Sequence, residues 1–414
     1  MSPQTIMLVH NRYVRAGGED SVLETEKQVL LSHGHKIVEF LEDNKCIEGM
    51  SRTAAMAPLV WSVPQARRMA AFIDEHRPDL VHIHNLYYRI GPAIYYVCKQ
   101  KGLPVVQTLH NFRMGCINAR LSRNGIPCEL CLDRRVRWPG ILNRCFQDSM
   151  LKSGALTLAM DLHRSLGSWR RTVDVYIALT EFARIKHIAG GVPESKIVVK
   201  PNTLSSDPGV GSGDGGYCLF VGRLDSDKGI EVLLAGIDGL PQDTELWIVG
   251  TGPMSSLVEA ACRRKPRVRW LGAQSRKEVL RLMQGAQLLL FPTLAYENCP
   301  VVVAEAFATG LPIVASDLGA TRELVQDGFT GALFRVGSAL ELGAAATRLL
   351  ADQPLLARMR RAARAEFERK FTPERCYADL MRIYEVATER NRDVLRRRPG
   401  WTESERRRAC QFER

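Results

Sequence analysis

Short apolar runs alternate with longer amphipathic stretches along most of this 414-residue chain. In the first half, Thr5–Val9, Lys36–Leu41, Leu80–His84, Val105–Leu109 and Val175–Ala178 read as strands. In the second half, Tyr217–Val221, Glu245–Val249, Val268–Leu271, Leu288–Phe291 and Ile313–Ala315 do so. Strands buried on both faces, with helical segments between them, predict parallel sheets covered by helices on each side. Ser205–Gly216, SSDPGVGSGDGG, is rich enough in Gly, Ser and Asp to be a linker or long loop. The pattern therefore predicts an α/β chain of two doubly wound, Rossmann-like domains, 1–204 and 217–371. Phe371–Arg390 reads as a last helix with Thr372 as N-cap and Pro373 at its first position, followed by a basic tail, 391–414. Ligands of such sheets lie beyond the carboxyl ends of the strands, so the cleft between the two domains is the expected active site.

Composition narrows this little. The 45% hydrophobic and 25% charged content is that of a water-soluble globular chain. No apolar run approaches the roughly 20 residues of a membrane span. The start, MSPQT, has neither the basic nor the apolar region of a signal peptide, so a cytosolic protein is expected. The net charge of +12 is concentrated in Arg120–Arg144, Arg396–Arg398 and Arg406–Arg408. Nucleic acid is not the expected partner, because no helix-turn-helix or RNA-binding signature accompanies these clusters. Anionic lipid headgroups or a lipid-diphosphate acceptor are the other candidates, and a solvated basic surface is at least as good a reading of the last block. Leu151–Trp169 is apolar at helical spacing and suits either a core-facing helix or one lying on a membrane.

The candidate chemistry centres on 296–317, YENCPVVVAEAFATGLPIVASD. Glu297 and Glu305 are separated by seven residues at a loop-to-helix junction, with Pro300 in the first turn. Both carboxylates are then placed to accept hydrogen bonds from vicinal hydroxyls of a ligand lying across a helix N-terminus, where unpaired N–H groups favour phosphate. A nucleotide sugar combines those features.

Four other stretches accompany the acidic pair in order: LTEFARIKHIAGGVPESKIVVKPNTL from Leu179, GRLDSDKGIEVLL from Gly222, IVGTGP from Ile248 and ELVQDGFTGALF from Glu323. Together they resemble the retaining family-4 glycosyltransferases of the GT-B fold. The resemblance implies a nucleotide-sugar donor site formed by Gly222, Arg223, Lys228, Gly250, Gly252, Glu297, Asn298, Cys299, Pro300, Val301 and Glu305. It also implies that Gly17 and Gly18, in the loop Gly17-Gly18-Glu19-Asp20, face the sugar and the leaving phosphate, and that His110 contacts the donor sugar. Catalysis would then rest on His110, Glu297, Arg223 and Lys228. His84 is read as lining the acceptor side of the cleft and His82 as core, with no third ligand evident for a metal at that pair. A last helix in this fold crosses back to the first domain.

The basic pair offers a bidentate fork and a point charge for a departing diphosphate, so a catalytic metal is not needed. Asp225-Ser226-Asp227 superficially resembles a metal-binding D-x-D but is read as a solvated loop. The expected reaction is transfer of a hexose-type sugar to a hydroxyl of a glycan, lipid-linked or small-molecule acceptor. The alternatives are a basic nucleic-acid-binding zinc protein or a non-transferase GT-B enzyme such as a nucleotide-sugar epimerase. Four of the eleven cysteines, Cys116, Cys128, Cys131 and Cys145, fall in an insertion at about 112–150 with the spacing C-x11-C-x2-C-x13-C. This fits a structural zinc site or an iron–sulfur cluster, and four unlinked thiols remain the plain alternative.

Overall fold

The computed structural model describes residues 3–12, 17–44, 58 and 60–396. The first domain is a six-stranded parallel sheet of β1 (Thr5–Arg12), β2 (Lys36–Asp43), β3 (Leu80–Asn85), β4 (Val105–Thr108), β7 (Val175–Ala178) and β8 (Ile197–Val199), in the order β2-β1-β3-β4-β7-β8. A two-stranded hairpin, β5 (Ser122–Arg123) and β6 (Ile126–Pro127), lies in the insertion between β4 and β7. The second domain is a parallel sheet of β9 (Tyr217–Val221), β10 (Glu245–Val249), β11 (Val268–Trp270), β12 (Leu288–Phe291), β13 (Ile313–Ser316) and β14 (Gly331–Phe334). Its order, β11-β10-β9-β12-β13-β14, is the 3-2-1-4-5-6 of a doubly wound sheet. The direction of winding reverses beside β1 and β3 in the first domain and beside β9 and β12 in the second. Ligand crevices are expected at those two places.

Each sheet is covered on both faces, which is why its central strands are apolar throughout: β12 and β13 are buried at every residue. Two edge strands, β8 and β14, escaped the sequence reading. β14 opens on a glycine, usually a breaker. Here a Cβ at Gly331 would stand 1.9 Å from the carbonyl oxygen of Ile313, so the neighbouring strand requires the glycine.

Of the two readings of Ser205–Gly216, linker or long loop, the structure has the long loop. Gly211, Gly213 and Gly215 donate to the carbonyls of Thr309, Gln284 and Gly285, and Arg364 pairs with Asp207. This segment is strapped to the second domain because its backbone groups find partners there.

The last helix, Pro373–Arg396, does return to the first domain, with Thr372 capping it through Arg375 N–H. It buries Cys376, Leu380, Ile383, Tyr384 and Ala387 among strand residues such as Ile6, Leu8 and Val106. Each large apolar side chain buried this way contributes about 1.5–3 kcal/mol. The helix runs beyond the predicted start of the tail: Asn391 is buried, accepting from Lys99 and donating to Gly102 O at 2.7 Å. Apart from Arg396, the basic clusters at the C-terminus lie outside the described residues.

Candidate active site

The loop after β9 begins at Gly222 and the loop after β12 carries Glu297, so the switch point of the second sheet places them side by side. Lys228 Nζ donates to Glu297 Oε1 at 2.5 Å, and Thr293 Oγ1 donates to the same oxygen at 3.2 Å. Gly229 makes this approach possible: it sits at φ 72°, and a Cβ there would overlap Pro292 O at 1.9 Å. The IVGTGP turn braces the same loop, since a Cβ at Gly250, φ 132°, would meet Gly222 O at 1.8 Å, and one at Gly252 would meet Leu224 O at 2.5 Å. Gly250 and Gly252 therefore act first as packing positions for the Arg223 loop.

Arg223 is half-exposed and paired with Asp225. Asp227 lies 3.7 Å from Arg120 of the first domain, and its carbonyl accepts from Leu294 N–H. Asp225 and Asp227 are thus sheltered and arginine-paired, not the solvated loop residues that sequence reading predicts.

Glu305 is on the helix Val301–Ala308, only 9% exposed, and accepts from Arg276 Nε at 3.1 Å. Burial raises its pKa against the opposing charge of Arg276. Arg276 was not identified from sequence, and nothing local marks it. Pro300 proves to be the N-cap of this helix, in extended backbone, and not its first turn. Asn298 Nδ2 donates across the cleft to Leu109 O at 2.8 Å, and Cys299 O accepts from Asn202 at 2.6 Å. The side chain of Cys299 is in the core, and Val301 packs against that core. Cys299 therefore cannot offer its side chain to a donor, because the helix start is anchored through it.

Across the cleft, His110 ends the strand-to-loop turn after β4. His84 Nδ1 and His110 Nε2 are 3.0 Å apart, with the rings stacked. Burial holds His84 well below the usual imidazole range and pushes His110 down to about 3, so both are neutral at pH 7. His84 is 3% exposed, hidden behind His110, so it supports that residue and does not line the cleft. His82 is core as expected, held between Tyr384 Oη at 2.9 Å and Thr108 Oγ1 at 2.8 Å.

The third group that the sequence did not reveal beside His82 and His84 is Glu26, 3.6 Å from each. The three have metal-ligand spacing. Lys200 Nζ, however, already donates to Glu26 Oε1 at 2.7 Å. Burial would raise the Glu26 pKa, but the charge and hydrogen bond of Lys200 outweigh it and hold the carboxyl low. A buried lysinium beside the carboxylate disfavours a second cation, so the group is a charge-paired support for His84. Its facing carboxylate favours a proton on His84 Nε2. His84 Nδ1 then accepts from His110 Nε2–H, leaving His110 Nδ1 as an acceptor.

Gly17 and Gly18 open the helix Gly18–Ser32, with open space where Cβ atoms would be. Asp20 fixes this turn by accepting from Gly17 N–H at 2.9 Å and meeting His10 Nε2 at 3.0 Å. Half-buried Glu19 accepts from Asn111 Nδ2 at 3.0 Å, immediately after His110. Desolvation pushes the Glu19 carboxyl up to about 7. Neither Glu19 nor Glu26 is among the site residues that the sequence motifs imply. Glu26 had a signal, an acid within the apolar stripe Val22, Leu23, Val29 and Leu30 of its helix.

Two family models divide the chain at the strap: Glycosyltransferase Family 4 over residues 29–207 and Glycosyl transferases group 1 over 215–352. Phosphatidyl-myo-inositol mannosyltransferase of Mycobacterium leprae (strain TN) is 32% identical over 253 residues, 59% of this chain and 67% of that protein. The chain is a family-4 glycosyltransferase. The amylovoran biosynthesis glycosyltransferase AmsK of Erwinia amylovora is 30% identical over 178 residues, 40% of this glycosyltransferase and 44% of AmsK. Among solved structures, Anabaena HepE in complex with UDP aligns with a TM-score of 0.65 at 17% identity, covering 91% of this chain and 98% of that one. Sucrose-phosphate synthase from Thermosynechococcus elongatus aligns with 0.67 at 17% identity, covering 92% and 98%. These neighbours share the GT-B fold of the glycosyltransferase, as its two facing parallel sheets require.

Proposed function

We propose that this glycosyltransferase moves a hexose-type sugar, with retention of anomeric configuration and without a catalytic metal, from a nucleoside diphosphate to a hydroxyl of a glycan or lipid-linked acceptor. The observation that carries the reading is the Lys228–Glu297 contact at the switch point, with the adjacent Asn298 docked on Leu109 beside His110. Arg223 and Lys228 stabilise negative charge as the sugar–phosphate bond breaks. Glu297 holds Lys228 and accepts from sugar hydroxyls. His110 Nδ1 accepts a further sugar hydroxyl. The acceptor oxygen attacks on the face the phosphate leaves, and its proton passes to that phosphate, so no protein nucleophile is used.

A lipid-linked acceptor agrees with the named activity of the M. leprae relative, and the surface supports it. The helix Met150–Ser165 buries Leu156 and Met160 but leaves Leu151 81% and Leu158 71% exposed, with exposed Trp138 and Leu142 on the preceding segment. No described helix is long and apolar enough to cross a membrane. An interfacial, peripheral mode at the cytoplasmic face suits an apolar face flanked by Arg144 and Lys152.

The deciding experiment is a thermal-shift screen of nucleotide sugars, followed by NMR of the product's anomeric configuration. A stabilising donor and a retained product are expected. Inversion, or a sugar trapped covalently on Glu297, would overturn the mechanism. Turnover lost to a chelator and restored by magnesium or manganese would overturn metal independence. Liposome flotation with anionic lipid tests the membrane mode, and a Leu151→Glu/Leu158→Glu variant should stay in the unbound fraction.

A further inference from the structure

Four cysteines that the transfer chemistry does not use are drawn together between β4 and β7. Cys116 closes the turn after Phe112–Met114, its N–H donating to Phe112 O at 2.9 Å. The β5–β6 hairpin turns at Asn124 and Gly125, both at positive φ, and returns Cys128 to that turn, where its N–H donates to Leu121 O at 2.7 Å. Cys145 N–H donates to Gly140 O at 3.0 Å, and a Cβ at Gly140 would lie 3.4 Å from Cys131 Sγ. Cys116 Sγ donates to Asn118 Oδ1 at 3.0 Å, and a Cβ at Gly140 would also meet Ile117, the neighbour of Cys116, at 2.7 Å. Gly140 is thus the common neighbour of Cys131, of Cys145 and of the residue after Cys116, and two residues separate Cys128 from Cys131.

We propose that Cys116, Cys128, Cys131 and Cys145 hold a structural zinc ion as four thiolates. The sulfurs stand wider apart here than ligands do, since the group at ligand spacing among the described residues is Glu26, His82 and His84. They turn inward around the ion. On binding, four thiols release their protons to solvent and the zinc–tetrathiolate carries two negative charges. Arg113, which donates to Ile117 O, Arg123, which donates to Asn143 Oδ1, and Arg137, which donates to Met114 O, lie beside the cysteines and offset that charge. Part of the basic cluster Arg120–Arg144 thereby acquires a purpose.

The ion also bears on the cleft, a consequence that rests on the transferase reading. Glu129, between Cys128 and Cys131, accepts from Tyr296 Oη and from Lys186 Nζ, each at 2.7 Å. Tyr296 is the neighbour of Glu297. Arg120, between Cys116 and Cys128, faces Asp227. A metal-closed knuckle thus clasps both donor loops from the first domain.

Elemental analysis of the full chain, purified anaerobically, decides the metal. Stoichiometric zinc is expected, released to a metallochromic dye when a mercurial blocks the thiols. Cys145→Ala should lose the ion, while Cys145→His, which still ligates, and Cys262→Ser, outside the cluster, should keep it. Substoichiometric zinc in the wild-type chain even after zinc is supplied, disulfides among the four cysteines, or equal metal in the Ala and His variants would each overturn the proposal. The count needs no sugar nucleotide, so it can fail while the transferase reading stands, and a zinc-replete chain inert to every donor fails that reading alone.

Discussion

The two domains are both six-stranded parallel sheets with a winding switch, but they treat charge in opposite ways. In the second, cations at the strand ends are reachable from water, Arg223 with a side chain 44% exposed and Lys228 25%, each held by a carboxylate. In the first, the corresponding crevice is built on neutral histidines, with its charges, Glu26 and Lys200, sealed beneath them. A diphosphate arriving from water needs accessible cations that do not pay a full desolvation cost. A sugar, which is neutral, needs fixed acceptors, and buried imidazoles with one tautomer supply them.

The largest effect should come from breaking the sealed charge. Glu26→Gln leaves Lys200 buried without its counter-charge and should cost about 3–5 kcal/mol of stability in denaturant titration. The double variant Glu26→Gln/Lys200→Met should recover much of it. In the open crevice the loss should be catalytic instead: Lys228→Ala should retain its unfolding midpoint while kcat falls about 10²–10³-fold, or about 3–4 kcal/mol. Equal damage to stability and kcat in that variant would erase the contrast between the domains.

Glu19 offers a pH test of the first domain. Its folded pKa of about 7 lies above the ordinary 4.5. The stability it contributes is therefore fully present below 4.5 and is lost as pH rises through 7, by at most about 3 kcal/mol. Glu19→Gln should flatten stability against pH across that window, measured by urea midpoints, and an unchanged slope would show the carboxyl to be ordinarily solvated. A smaller effect is expected of His84→Ala, which removes the partner of His110. It should lower kcat about 10- to 100-fold through misplacement, with little change in the donor KM. Smallest of all, Arg120→Ala removes an exposed arginine 3.7 Å from Asp227 and should change donor affinity by less than about 1 kcal/mol, with the difference vanishing at high salt.

The two crevices were also unequally legible in the sequence. Arg223, Lys228, Glu297 and Glu305 sit in local motifs where a strand end, a turn and a helix start follow one another, so short-range patterning locates them. The Glu26–His84–His110 group draws on a helix and two strands, with Lys200 arriving from the crossover, and no spacing along the chain connects those residues. His84 was placed one layer too far out, because alternation along β3 gives a face but not what covers it. Arg276 and Glu129 were invisible for the same reason, since each meets a partner far away in the chain, Glu305 and Tyr296.

By itself, then, the order of apolar and polar residues determined two parallel sheets and the strand-end loops that carry the basic and acidic pairs. These depend on periodicity and turn chemistry, which act over a few residues. Tertiary structure alone decided which carboxylate meets which cation, which histidines are stripped of water and held neutral, and that the cysteine insertion reaches the donor loops. Those outcomes depend on distances and desolvation between segments that only folding brings within a few ångströms.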